Sequence, residues 1–163
     1  TNPWLGCNAG QNTIGLEADG TIKGCPSLPT KGYTGGNIRD RALEDIWVNA
    51  PELNFTRDRT VKDLWGYCAS CYYADVCRAG CSWTTTVLLG KPGNNPYCHH
   101  RVLELEKEGK RERVVRVQAA PGLPFDQGRF EIDEEPLSAP EVARAASTLP
   151  DPRGRAFKLP VLG

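Results

Sequence analysis

The chain has 163 residues, enough for one domain with an appendage, and its 20 Lys/Arg balance its 20 Asp/Glu. The balance holds locally, with nine of each sign in the first hundred residues and eleven of each in the rest. Bulk charge therefore draws the chain to neither nucleic acid nor an anionic membrane, and no apolar run approaches the roughly 20 residues that span a bilayer. The first residues, TNPWLGCNAG, lack the basic start and apolar stretch of a secretion signal. They read as a cut inside a longer protein, expected in the cytoplasm.

Residues 13–23, TIGLEADGTIK, predict a β-hairpin. Ile14 and Leu16 alternate on the way in, and Asp19-Gly20 supplies the turn with positive φ. Cys7 precedes the hairpin and Cys25 closes it. Residues 26–37 read as loop from their Pro, Gly and Asn content. A short helix is predicted from Asp40 to Val48, capped by Asp40, with Leu43, Ile46 and Trp47 on one face. Pro51 ends it or begins another turn. Thr60-Val61-Lys62-Asp63 has the form of a capping box, with a helical turn running to Trp65.

A helix from Asp75 to Leu89 would carry Cys77 and Cys81 one turn apart on one face, with Gly90 and Pro92 as its stop. GKPGNNPYC then forms a loop presenting Cys98. Residues 99–113 predict a highly charged helix with only Val102, Leu103 and Leu105 as an apolar face. Val114, Val115 and Val117 suggest a short strand. From Ala119 onward Pro and Gly recur, with an acidic run EIDEE at 131–135 and a short helix at 140–147. The expected fold is α+β, small and loop-rich, a β-hairpin plus short helices. Residues 1–100 form the cysteine-bearing domain, and residues 101–163 a helix and an extended tail, an arm that wraps a partner.

All seven cysteines lie between positions 7 and 98, and four of them fall in CASCYYADVCRAGC, a C-x2-C-x5-C-x3-C run at 68–81. An odd count with C-x2-C spacing and no secretion signal argues against a disulfide scaffold. Soft thiolates at close spacing select zinc or an iron–sulfur cluster. Only one C-x2-C pair is present, where a zinc site of the commonest kind would show two. Seven divides into four, which completes a cubane with one thiolate per iron, and three, which leaves one iron for another ligand. Spacing alone leaves open whether Cys77 and Cys81 serve one metal group or two.

The order Cys7, twelve residues, Gly20, four residues, Cys25, a gap, the C-x2-C-x5-C-x3-C run, a gap and Cys98 resembles the seven-cysteine signature of the SPASM domain. That domain is the C-terminal extension of many radical S-adenosylmethionine enzymes. The words DGTIKGCPS, GNIRDRALEDIW and NPYC resemble the family as well, and the likeness covers residues 7 to about 100. The resemblance implies a fold organised around two auxiliary [4Fe–4S] clusters with interleaved ligands: Cys7, Cys25 and Cys81 for the first, and Cys68, Cys71, Cys77 and Cys98 for the second. The first cluster is then left open at one iron or completed from outside. The resemblance also implies a peptide or protein substrate, a catalytic barrel domain as partner, and S-adenosylmethionine bound only in that barrel.

The C-x3-C-x2-C triad that holds a catalytic cluster in such enzymes is not present, since position 84 is Thr. The chain by itself is therefore not expected to be catalytic. Its clusters would carry electrons, bind substrate or hold up a loop-rich domain that has little core of its own. A zinc-binding interaction module is the alternative, and zinc would also enter the same thiols in a preparation made in air. The remaining candidates read as structural. His99 and His100 belong to a solvated helix start, and Trp4, Trp47, Trp65 and Trp83 to packing around the clusters. Gly35-Gly36 is a turn, Asp40, Asp63 and Asp75 are caps, and the basic residues between 107 and 116 lie on a solvated helix face.

Overall fold

Asp19 and Gly20 turn the chain back on itself as the sequence predicts. A computed structural model, which describes residues 6–122 and 127–141, pairs β1 (Gly15–Leu16) antiparallel with β2 (Thr21–Lys23) in the register Gly15↔Lys23 and Leu16↔Ile22. Gly20 has φ +91°, and Asp19 Oδ1 accepts from the Thr21 N–H at 2.9 Å. Lys23 is fully buried, with Nζ donating to the Pro26 and Leu28 carbonyls, so its amine gathers the loop that follows Cys25.

A third strand corrects the loop expected at 26–37. β3 (Thr34–Asn37) pairs antiparallel with β2. Its two glycines, which read as a turn, instead allow close packing. A Cβ on Gly35 would lie 2.8 Å from Leu53 Cγ and 3.1 Å from Ala50 Cβ. Behind the sheet run α1 (Leu43–Asn49) and a 3-10 turn at Pro51–Leu53. The helix starts later than predicted: Ala42, not Asp40, is its N-cap, and no side chain caps it. Asp40 belongs to the preceding turn, its N–H bonded to the Asn37 carbonyl. Ile22, Ile46, Ala50 and Leu53 form the core, with Ile14 against them. Each buried aliphatic side chain there contributes about 1.5–3 kcal/mol. Of the predicted α1 face only Ile46 is buried.

The capping box is formed. The Thr60 N–H donates to Asp63 Oδ2 at 2.7 Å, and Thr60 Oγ1 accepts from the Lys62 N–H at 3.3 Å. The 3-10 turn it starts covers Val61–Asp63 and stops short of Trp65. A third 3-10 turn, Gly66–Ser70, carries Cys68.

The single helix expected over 75–89 is two helices, α2 (Ala74–Cys77) and α3 (Ser82–Leu89). Arg78, Ala79 and Gly80 between them all take left-handed φ, +47°, +61° and +66°. Only glycine does so without penalty, so helical spacing across this stretch could not warn of the break. Cys77 therefore ends one helix while Cys81 caps the next, and the two do not share a helical face. Gly90 ends α3 at φ +77°, as predicted.

α4 (His99–Lys107) also ends earlier than predicted. Gly109 at φ +71° follows it, and residues 110–113 begin a strand. β4 (Lys110–Gln118) and β5 (Arg129–Pro136) form an antiparallel ribbon that centres on Val114↔Ile132. Of the basic residues read as a helix face, Lys107 ends α4, and Lys110, Arg111, Arg113 and Arg116 are strand residues. They meet the acidic run across the ribbon, with Arg111–Glu135 at 2.6 Å and Lys110–Glu134 at 3.0 Å. β4 packs against α4 and β5 against α3, so this part of the tail folds back onto the chain rather than reaching out as an arm. Trp4, and the predicted helix at 140–147 beyond residue 141, lie outside the described residues. No helix among the described residues is long and apolar enough to cross a membrane.

Candidate metal centre

Four of the seven thiols line one cavity of about 590 Å³: Cys68, Cys71, Cys77 and Cys98. Each comes from a different local device. Cys68 rides on the Gly66–Ser70 turn and is buried, 7% exposed, among Leu64 and Ala79. Cys71 follows that turn in extended backbone and accepts from the Tyr73 N–H at 3.4 Å. Cys77 is the last residue of α2, and Cys98 is the N-cap of α4.

These sulfurs feel one another. Burial pushes the Cys68 thiol above its ordinary value; the Asn95 backbone N–H and Arg101 oppose this, and Cys71 and Cys77 add to it. Burial likewise pushes Cys77 up, with further push from Cys98 and Cys71 against the N–H groups of Gly80 and Ala79. A set of thiols that resist joint ionisation gives up its protons to a soft metal group. Among the described residues no three His, Cys, Asp or Glu side chains converge on a single-ion geometry. Four thiols lining one cavity supply the donor set of a cluster that takes one thiolate per iron. The donor set therefore fits a [4Fe–4S] group.

Aromatic side chains complete the cavity wall. Tyr67, Tyr73, Tyr97, His99 and His100 line it with the cysteines. His100 stands edge-on to Tyr73 at 4.9 Å and to Tyr67 at 6.5 Å between ring centres, so only His99 keeps the exposed setting expected of both. Among the described tryptophans, Trp47, Trp65 and Trp83 do not line the cavity. Trp47 lies under the Arg57 guanidinium, Trp65 donates to the Pro92 carbonyl, and Trp83 is exposed.

Cys7, Cys25 and Cys81 lie outside this cavity. Cys81 opens α3 beyond the left-handed break. Cys7 follows Gly6, whose backbone rests so close to the end of α2 that an added Cβ would be 2.8 Å from the Cys77 carbonyl oxygen. Cys25 stands half-buried two residues past β2.

Two buried arginines had no signal in the sequence. Arg101, in α4, is 2% exposed and joins the walls of the cavity. It donates to Asn94 Oδ1 at 2.7 Å, to the Asn95 carbonyl at 3.1 Å and to Glu112 Oε1 at 2.7 Å, and it stacks over Tyr67 at 5.1 Å. Its Nε is 2.5 Å from Glu112 Oε2, an ion pair without a hydrogen-bonding angle. Arg59 is the second, buried beside α3, where it donates to Ser82 Oγ at 2.9 Å.

Residues 7–72 match the SPASM family, an iron–sulfur cluster-binding domain. The match takes in Cys7, Cys25, Cys68 and Cys71. The chain is 33% identical over 97 residues to the AdoMet-dependent heme synthase of Methanosarcina barkeri, covering 59% of this chain and 26% of that one. It is 30% identical over 95 residues to the mycofactocin maturase MftC of Mycobacterium ulcerans, covering 56% and 25%. It thus spans about a quarter of the length of these relatives. No solved structure matches it. The segment that matches the SPASM iron–sulfur cluster-binding family thus holds four of the seven cysteines, and two of those, Cys68 and Cys71, line the four-thiol cavity.

Proposed function

We propose that this chain is the auxiliary-cluster part of a radical S-adenosylmethionine enzyme that modifies a peptide or protein. The observation that carries the reading is the single cavity lined by Cys68, Cys71, Cys77 and Cys98. In this reading those four thiols hold one [4Fe–4S] cluster, and Cys7, Cys25 and Cys81 hold a second. Residues 1–100 are the cluster domain, residues 101–163 its appendage, and the partner is a catalytic barrel that binds S-adenosylmethionine. The name of the mycobacterial relative, a maturase, supports a peptide substrate. Thiolate-held clusters belong in a reducing compartment, which favours the cytoplasm.

When bound, such clusters exchange single electrons with a partner, and one with three thiolates also offers an iron to a ligand. The chain's own residues set the surroundings. The N–H groups of Asn95, Gly80 and Ala79 favour charge on the Cys68 and Cys77 sulfurs. Tyr67, Tyr73 and Tyr97 line the cavity with their rings, and the break at 78–80 separates the ligands of the two groups.

Anaerobic reconstitution with iron and sulfide tests this. About eight irons and eight sulfides per chain are expected for two cubanes. Cys98→Ala and Cys81→Ala should each lose about half, and should remove different clusters. Stoichiometric zinc with no iron or sulfide, even after reconstitution, would leave only a zinc-binding module. Loss of the same cluster in Cys77→Ala and Cys81→Ala would refute the division of ligands.

A further inference from the structure

Arg59 is a cation buried without a carboxylate. The residue is 6% exposed, and its hydrogen-bond acceptors are neutral: Nη2 donates to Ser82 Oγ at 2.9 Å and Nη1 to the Arg78 carbonyl at 3.4 Å. Among the described residues no Asp or Glu forms an ion pair with it. Asp63 and Tyr33 act on it only through space, and Arg78 repels it. Burying a guanidinium with neutral partners alone is heavily unfavourable unless an anion is met nearby.

Ser82, which accepts from Arg59, directly follows Cys81, and of the acidic side chains that act on Arg59 through space the Cys7 thiol comes ahead of Tyr33 and Asp63. Arg101 provides the internal contrast. It is equally buried and acts on Cys68, but its charge is met by Glu112. One arginine thus accompanies each cysteine set, and only Arg59 keeps its charge unspent on a carboxylate.

We infer that Arg59 is a positioning residue for the group held by Cys7, Cys25 and Cys81. Its guanidinium balances the negative charge of the thiolate-bound cluster there and raises that cluster's reduction potential. The inference rests on the two-cluster reading above. Reduction adds an electron to an already anionic centre, so a fixed positive charge beside it favours the reduced form.

The test is a redox titration of the full chain, reconstituted anaerobically and followed by electron paramagnetic resonance, with iron and sulfide measured on the same samples. A wild-type chain that takes up no iron and sulfide ends the two-cluster reading and this inference together. In a loaded wild type, the cluster missing from Cys81→Ala identifies the signal to watch. Arg59→Gln is expected to shift that signal's midpoint to lower potential and leave the other cluster unmoved. Arg59→Lys, which keeps the charge, is expected to stay near wild type. A loaded Arg59→Gln with both midpoints unchanged overturns the inference, as does a shift confined to the other cluster. If Arg59→Gln loses the cluster outright, retention in Arg59→Lys supports the charge role. Loss in Arg59→Lys as well assigns Arg59 to packing and overturns it.

Discussion

Arg101 holds the four-thiol cavity together, and replacing it with Met tests that role. The guanidinium ties α4 to β4 through Glu112, to the 94–95 loop through Asn94 and the Asn95 carbonyl, and to Tyr67 through its ring face. The side chains of Arg101 and Glu112 are 3% and 15% exposed. Removing one partner of a buried pair leaves the other charge uncompensated and costs about 3–5 kcal/mol. Asn94, 2% exposed, also loses the donor to its carbonyl oxygen. For a chain of this size each kcal/mol moves the melting temperature by about 2–4 °C, so Arg101→Met should melt roughly 6–20 °C lower. Replacing both charges, Arg101→Met with Glu112→Leu, should recover most of the loss, because no orphan charge remains. Urea unfolding of the reduced, metal-free chain, read by tryptophan fluorescence, measures the whole cycle. A loss under about 1 kcal/mol in Arg101→Met, or single losses that simply add in the double variant, would refute the coupled-pair argument.

Three further outcomes are expected. Gly6→Ala forces a side chain into φ +93° and against the Cys77 carbonyl; it should cost about 1–3 kcal/mol of stability and lower iron uptake, and unchanged uptake would show that this contact does not set the cysteine spacing. Arg78→Gly relieves a left-handed non-glycine residue; a gain of about 1–2 kcal/mol, less about 0.5–1 for the added chain entropy, leaves a small net stabilisation in urea unfolding. The Thr60 backbone N–H and hydroxyl hold the Asp63 carboxyl below its ordinary 3.8. A depressed folded value means that its contribution is complete above the unfolded value and is lost as pH falls through the folded one. The gap in urea midpoint between wild type and Asp63→Asn should therefore be open at pH 7 and closed in strong acid, and a gap that persists in acid would contradict the cap.

Local chemistry was legible where one residue type forces one conformation. Asp19-Gly20 turned the hairpin, Thr60 and Asp63 closed their box, and Gly90 ended a helix as read. Glycine misled where its use was packing rather than turning. Gly35 lies in a strand where Leu53 and Ala50 leave no room for a side chain, and Gly36 beside it takes φ +137°. The charged run after Cys98 misled too, since EKEGKRERVV has helical composition until its partner EIDEE is brought alongside by the fold.

The sequence by itself determined the cysteine inventory, its spacing and hence its soft-metal chemistry, because thiolate preference is a property of the side chain wherever it sits. Tertiary structure decided which thiols face one another. Three consecutive left-handed residues turn Cys81 away from the cavity that takes Cys77, and no periodicity in CASCYYADVCRAGC announces them. It also decided the electrostatics of the two cysteine sets. Arg59 and Arg101 look like ordinary surface charges in sequence and become buried cations only when α3, α4 and β4 close over them. Burial removes the water that would otherwise screen them, and burial belongs to the packed chain rather than to any stretch of residues.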